Sequence, residues 1–171
     1  MQTLPWSVDR ALSDGAALEL ITSQFPQLSL QQVTARYEGW DHQAVEIDGQ
    51  WFFRFPKRAE CEPPLQRELA LLPHLAPLLP VAIPRYQFIG KPTSQFPYIF
   101  AGYARLPGIP AIESPIQSTS AVTLAAGLGQ TLSILHSVPA ETARTWGVPP
   151  GADTPATMVR SAFVELEAIK P

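Results

Sequence analysis

Cysteine is almost missing from this chain: Cys61 is the single one in 171 residues. One thiol excludes an intrachain disulfide and a cysteine-rich metal centre, and it fits the reducing cytosol best. Histidine is scarce as well, and His42, His74 and His136 stand too far apart in sequence to form an i, i+4 ligand pair. Clustered positive charge is lacking. Twelve Lys and Arg against fifteen Asp and Glu leave a net charge of −3, and no basic run could follow a phosphate backbone, so nucleic acid is not an expected partner. Long apolar runs are also absent. The most apolar stretch, residues 69–84, is broken by Pro73, Pro77, Pro80 and His74, short of the ~18 uninterrupted apolar residues of a spanning helix. No membrane association is expected. The opening MQTLPWSVDRALSDG carries acidic residues and no basic segment leading into an apolar core, unlike a secretion signal. A cytoplasmic protein is the expectation.

Proline, by contrast, is plentiful, with 19 residues. In a chain that is 46% hydrophobic and only 16% charged, the prolines punctuate a folded domain and do not mark disorder. Ser13 or Asp14 suits the cap of a helix reaching Gln24, with Leu18, Ile21 and Phe25 at helical spacing and Pro26 ending it. Residues 32–37, 43–47 and 51–55 then read as three strands. Glu38-Gly39-Trp40-Asp41 joins the first two and Asp48-Gly49, a two-residue hairpin signal, joins the last two. Pro63-Pro64 opens a second helix with Leu65, Leu69 and Leu72 on one stripe, which Pro73 limits to a few turns. Residues 85–89 and 98–104 are further strands, Leu106 to Pro110 a linker, residues 118–137 a helix with Leu124, Leu128, Leu132 and Leu135 on one face, and residues 154–170 another helix. The fold class is α+β: a small sheet lobe with an N-terminal helix and a second short helix, then the opening of a helical lobe. The division falls at 1–106 and 107–171.

One residue is out of place in this pattern. The third strand reads WFFRFP, with Arg54 among aromatic rings. Alternation along a strand puts Phe52 and Arg54 on one face and Trp51, Phe53 and Phe55 on the other. Arg54 can therefore emerge into a cleft, where its planar fork suits phosphate oxygens. A cation there needs an anionic partner, and Glu68 on the next helix is the candidate. The bland alternative is a solvent-facing arginine and a solvated glutamate. No G-x-S-x-G elbow occurs, so a hydrolytic triad has no support.

The stretches LITSQFPQL, YEGWDHQAVEIDGQWFFRFPK, QRELALLPHLA, FPYIFAGYARLPGIP and LGQTLSILHSVP, in this order, resemble the front half of the aminoglycoside phosphotransferase family, small-molecule kinases of the protein-kinase-like fold. The resemblance implies a nucleotide lobe with a five-stranded antiparallel sheet and one helix of the αC type. In such kinases a loop between the first two strands closes over the phosphates, which makes Gly39, Trp40, Asp41 and His42 cofactor-binding candidates. Arg54 falls where a third-strand lysine contacts the α- and β-phosphates, and Glu68 where a helix glutamate orients that cation. Phe52 resembles the residue that packs on the purine, and Tyr103, Arg105 and Leu106 the hinge whose backbone binds the purine edge. His136 is read as structural. The implied cofactor is ATP or GTP with Mg²⁺, and the implied partners are that nucleotide and a small hydroxylated acceptor.

Phosphoryl transfer also needs an aspartate for the acceptor hydroxyl and ligands for magnesium. In this family these come from an H-G-D-x-x-x-x-N loop and a D-F-G or D-W-G-like triplet, and neither occurs here. The aspartates are Asp9, Asp14, Asp41, Asp48 and Asp153, none in such a context. No catalytic or metal residue is therefore assigned within the chain. The expectation is the N-terminal portion of a longer enzyme, inactive alone; the alternatives are a non-catalytic nucleotide-binding or regulatory module and a degenerate product without activity.

Overall fold

The structure, a computed structural model, describes residues 9–109, 113 and 118–148. Helix α1 spans Asp14–Gln24, and its N-cap is Ser13, whose hydroxyl accepts from the amide of Ala16. Strands β1 (Val33–Glu38), β2 (His42–Ile47) and β3 (Trp51–Pro56) form an antiparallel meander. At the β2–β3 corner Asp48 and Gly49 both take positive φ, 52° and 66°, the backbone of a primed hairpin turn whose twist matches the strands. Asp48 also fastens the turn to the chain before β1, its carboxylate accepting from the amides of Gln31 and Gln32.

Helix α2 (Glu62–Leu75) follows, then β4 (Tyr86–Gly90) and β5 (Phe100–Ala104), which complete a five-stranded antiparallel sheet in the order β1-β2-β3-β5-β4. Alternation along β3 decides how the sheet is covered. Phe53 and Phe55 enter a core with Val45, Ile47, Phe96 and Phe100, sealed by Ala17, Leu20 and Ile21 of α1. Gly102 makes room for it: a Cβ there would lie 2.3 Å from the Phe53 ring. Arg54 and Phe52 project from the opposite face, toward α2 and the cleft.

Helix α2 is held to a few turns, as expected: it ends at Leu75, just past Pro73, which has no amide to give the Leu69 carbonyl. Two expectations need correction. Leu65 and Leu75 are buried, whereas Leu69 and Leu72 are only half-buried, so the buried stripe is shorter than its spacing suggests. Strand β5 begins at Phe100 rather than at residue 98: the Ile99 amide donates to the Glu62 carboxylate instead of a neighbouring strand, while Tyr98 packs edge-on against Phe96 and donates its hydroxyl to Asp9.

Helix α3 (Ser118–Ser137) and the short α4 (Ala140–Thr145) follow. The leucine face of α3 forms as its spacing indicates, yet Leu124, Leu128, Leu132 and Leu135 are exposed, Leu128 at 60%. His136 is exposed in the last turn of α3. Trp146, just after α4, stacks on His74 of α2 with centroids 4.6 Å apart. The helix expected over 154–170 lies outside the described residues. Among the described residues no helix is long and apolar enough to cross a membrane.

Candidate functional site

The cleft face of the sheet is built by register. Arg54 stands opposite Ala44, and Phe52 stands opposite Glu46 on one side and Tyr103 on the other. Small side chains beside Arg54 leave its guanidinium room to reach across to α2. There Nη1 donates to Oε2 of Glu68 at 2.5 Å and Nη2 to Oε1 at 3.3 Å, an end-on bidentate pair. Nη1 also donates to the hydroxyl of Tyr86 at 2.6 Å, and that hydroxyl donates to Glu68 Oε2 at 2.9 Å. The three groups thus close a triangle. Burial opposes the charge on Arg54, but Tyr86 and Glu68 outweigh it and hold the pKa above its ordinary value. Burial likewise raises the pKa of Tyr86, with Arg54 pulling it down and Glu68 pushing it up, so the phenol keeps its proton and can donate.

The fourth neighbour is His42, at the start of β2, whose Nδ1 lies 3.3 Å from Arg54 Nη2. Burial first, and the Arg54 charge second, push its pKa down to about 4. A neutral imidazole facing an arginine N–H must accept there, which places its own proton on Nε2. That Nε2 is buried and has no hydrogen-bond partner among the described residues.

Between β1 and β2 the three-residue connection Gly39-Trp40-Asp41 is closed by the Gly39 amide donating to the His42 carbonyl. Its acidic flanks are tied down. Asp41 pairs with Arg58 at 3.0 Å and Glu38 with Lys57 at 3.0 Å. With Tyr37, His42, Ala44 and Arg54 this connection lines a cavity of about 410 Å³. Trp40 is 68% exposed at its rim.

Two strand positions along from Arg54, an aromatic wall begins. Phe52 lies between Tyr103, stacked at 5.9 Å and 15°, and Tyr37 at 5.6 Å, and Tyr86 meets Tyr103 edge-on at 5.4 Å. Beyond the wall, Arg105 and Leu106 border a separate cavity of about 300 Å³ with Arg85, Gln87 and Ala104. Gly39, Trp40, Asp41, His42 and Arg54 therefore share one cavity, and Arg105 and Leu106 another. The amide of Arg105 is already committed to the Gln50 carbonyl at 2.7 Å, and its guanidinium lies 3.5 Å from Glu46, which also accepts from Tyr37.

Tyr86, Tyr37 and Glu46 are the site-forming residues that sequence reasoning missed. Tyr37 and Glu46 carried a usable signal, since both fall on the Arg54 face once the β1–β2 register is counted from the connection. Tyr86 carried none: only the pairing of β4 with β5 brings it under Arg54. Among the described residues no group of three or more His, Cys, Asp or Glu side chains could hold a metal ion. The planar fork of Arg54 has the chemistry to take phosphate oxygens.

Residues 32–164 match the phosphotransferase enzyme family. No curated protein matches the chain. Among solved structures, the GDP complex of wild-type aminoglycoside 2′-phosphotransferase-IIIa is similar at 30% identity and a TM-score of 0.77, over 92% of this chain and 52% of that one. The GDP and kanamycin complex of APH(2″)-IIia is 31% identical with a TM-score of 0.75, over 87% and 50%. A macrolide 2′-phosphotransferase from Brachybacterium faecium is 25% identical with a TM-score of 0.55, over 86% and 51%. The chain spans about half the length of each of these structures. With a match over most of its residues, and with the lobe, the sheet order and the cation pair in place, the chain belongs to the phosphotransferase enzyme family.

Proposed function

We propose that residues 1–106 are the nucleotide lobe, and residues 107–171 the start of the helical lobe, of a kinase that transfers phosphate from ATP or GTP to a hydroxyl of a small, aminoglycoside-like molecule. The carrying observation is the Arg54–Glu68 pair, set between the cavity under the Gly39-Trp40-Asp41 connection and the Phe52–Tyr103 wall. Arg54 binds the α- and β-phosphates, Glu68 holds it, and Phe52 and Tyr103 flank the purine. Since the Arg105 amide is bonded to Gln50, the purine edge is read by the Arg105 carbonyl and the Leu106 amide. Gly39, Trp40 and Asp41 cover the phosphates, Asp41 through backbone and through its hold on Arg58, not as a ligand, and His42 borders the phosphate site beside Arg54.

Magnesium, when bound, neutralises charge developing on the phosphates. The aspartates that would hold it and orient the acceptor are in none of the motifs of this sequence. These 171 residues therefore bind nucleotide without transferring phosphate. Calorimetric titration with ATP and with GTP tests the first part, and a radiolabel transfer assay with kanamycin as acceptor tests the second. No binding of either nucleotide by folded protein overturns the lobe assignment, and transfer by pure chain overturns the inactivity. The missing aspartate motifs also favour a second reading, a nucleotide-binding module with a regulatory role. Tight binding by a stable monomer, with no transfer on adding the C-terminal half of a related phosphotransferase, would favour it.

A further inference from the structure

We propose that His42 is a positioning residue that holds the phosphate-binding edge of Arg54 until a nucleotide phosphate displaces it. The inference rests on the nucleotide reading above. A guanidinium has five N–H donors, arranged as an end-on fork and a side-on fork of Nε with Nη2. Glu68 takes the end-on fork, and Tyr86 takes the remaining proton of Nη1. What is left is the side-on fork. Its Nη2 proton faces His42 Nδ1 at 3.3 Å, as long as the second Glu68 bond, and Nε has no partner among the described residues.

The charged groups around the imidazole are Arg54 from β3, Glu68 from α2, Asp41 from the connection and Arg58 from the segment after β3. Among them only Arg54 lies within hydrogen-bond reach of the ring. His42 is 8% exposed and lines the same cavity as Arg54. A neutral acceptor at long range is a weak partner for a guanidinium, whereas an anionic phosphate oxygen makes a shorter, stronger bond and can take both N–H groups of the side-on fork. An arriving phosphate therefore replaces the imidazole and gains Nε as well. Phosphate affinity is lower by whatever the His42 contact contributes to the free protein. The nucleoside part of the ligand, which contacts neither group, is indifferent to it.

The test compares the wild-type chain with His42→Leu and His42→Gln, titrated with ATP and with adenosine and checked for folding by circular dichroism. Removing the acceptor in His42→Leu leaves the Arg54 edge unpaired until ATP arrives, so ATP should bind roughly tenfold tighter, the scale of one hydrogen bond to a charged group, with adenosine affinity unchanged. His42→Gln, which restores an acceptor, should return ATP affinity toward wild type and remains informative if the leucine variant misfolds. Equal or weaker ATP binding by folded His42→Leu, or a glutamine variant that departs from wild type as the leucine variant does, overturns the role of His42 and leaves the nucleotide site standing. Failure of the wild type to bind ATP overturns both.

Discussion

The hydroxyl of Tyr86 sits between the two charges of the cleft, 2.6 Å from Nη1 of Arg54 and 2.9 Å from Oε2 of Glu68. It fixes the angle at which the guanidinium leaves β3, and it joins the charged pair to the aromatic wall through the edge-on contact with Tyr103. Tyr86→Phe keeps the ring and deletes the hydroxyl. ATP affinity should fall by about fivefold to tenfold, in line with the ~1 kcal/mol of one net hydrogen bond. Adenosine affinity should stay within twofold. A nucleoside effect as large as the ATP effect would mean that Tyr86 serves the ring pocket and not the cation.

Arg54→Met removes the cation but retains the aliphatic stem. Loss of hydrogen bonds to charged phosphate, about 1.5–3 kcal/mol, predicts ATP binding weaker by roughly tenfold to a hundredfold. Glu68→Gln leaves the cation in place with a poorer anchor and should cost less. Calorimetry on both variants checks the order; a larger loss for Glu68→Gln than for Arg54→Met would remove Arg54 from the phosphate site.

Gly102 is expected to be intolerant of a side chain. A Cβ at this position would fall 2.3 Å from the Phe53 ring, and that ring is fully buried among Phe25, Phe88 and Phe100. Gly102→Ala should lower unfolding stability by about 1–3 kcal/mol through overpacking. Urea denaturation measures it, and a change below about 0.5 kcal/mol would show that the ring relaxes freely.

The depressed pKa of His42 couples folding to pH. Its folded value of about 4 lies below the ordinary 6.5, so between these values the unfolded chain holds the extra proton and stability rises with pH. The contribution is complete above pH 6.5 and is lost as pH falls toward 4. It amounts to something on the order of 3 kcal/mol. Urea midpoints at pH 7 and pH 4.5 should differ by less in His42→Gln than in the wild type. Equal pH dependence in the two proteins would place the imidazole in contact with solvent.

Most of the strand layout was legible because it rests on local physics. Asp48-Gly49 takes positive φ at little cost, and alternation in WFFRFP sends Phe53 and Phe55 to the core and Arg54 to the cleft whatever surrounds them. The leucine stripe of α2 misled because spacing marks a face of the helix and not how much of it the sheet covers: Leu65 is buried, Leu69 and Leu72 only half so. The leucine face of α3 was readable as a pattern, but a pattern specifies an apolar face and not what lies against it.

The sequence by itself determined the secondary structure, the two-faced third strand and the pairing of Arg54 with a helix carboxylate, since backbone sterics, alternation and charge neutralisation act within a few residues or between adjacent elements. Tertiary structure alone decided the rest of the cleft. Tyr86 reaches Arg54 because β4 pairs with the far side of β5, His42 becomes a neutral acceptor because folding strips it of water beside a cation, and the Arg105 amide is taken by Gln50 because the β3–β5 pairing continues past Trp51 and Ala104. Each is a contact between segments whose separation in sequence carries no periodic signal, so only the folded chain could bring them together.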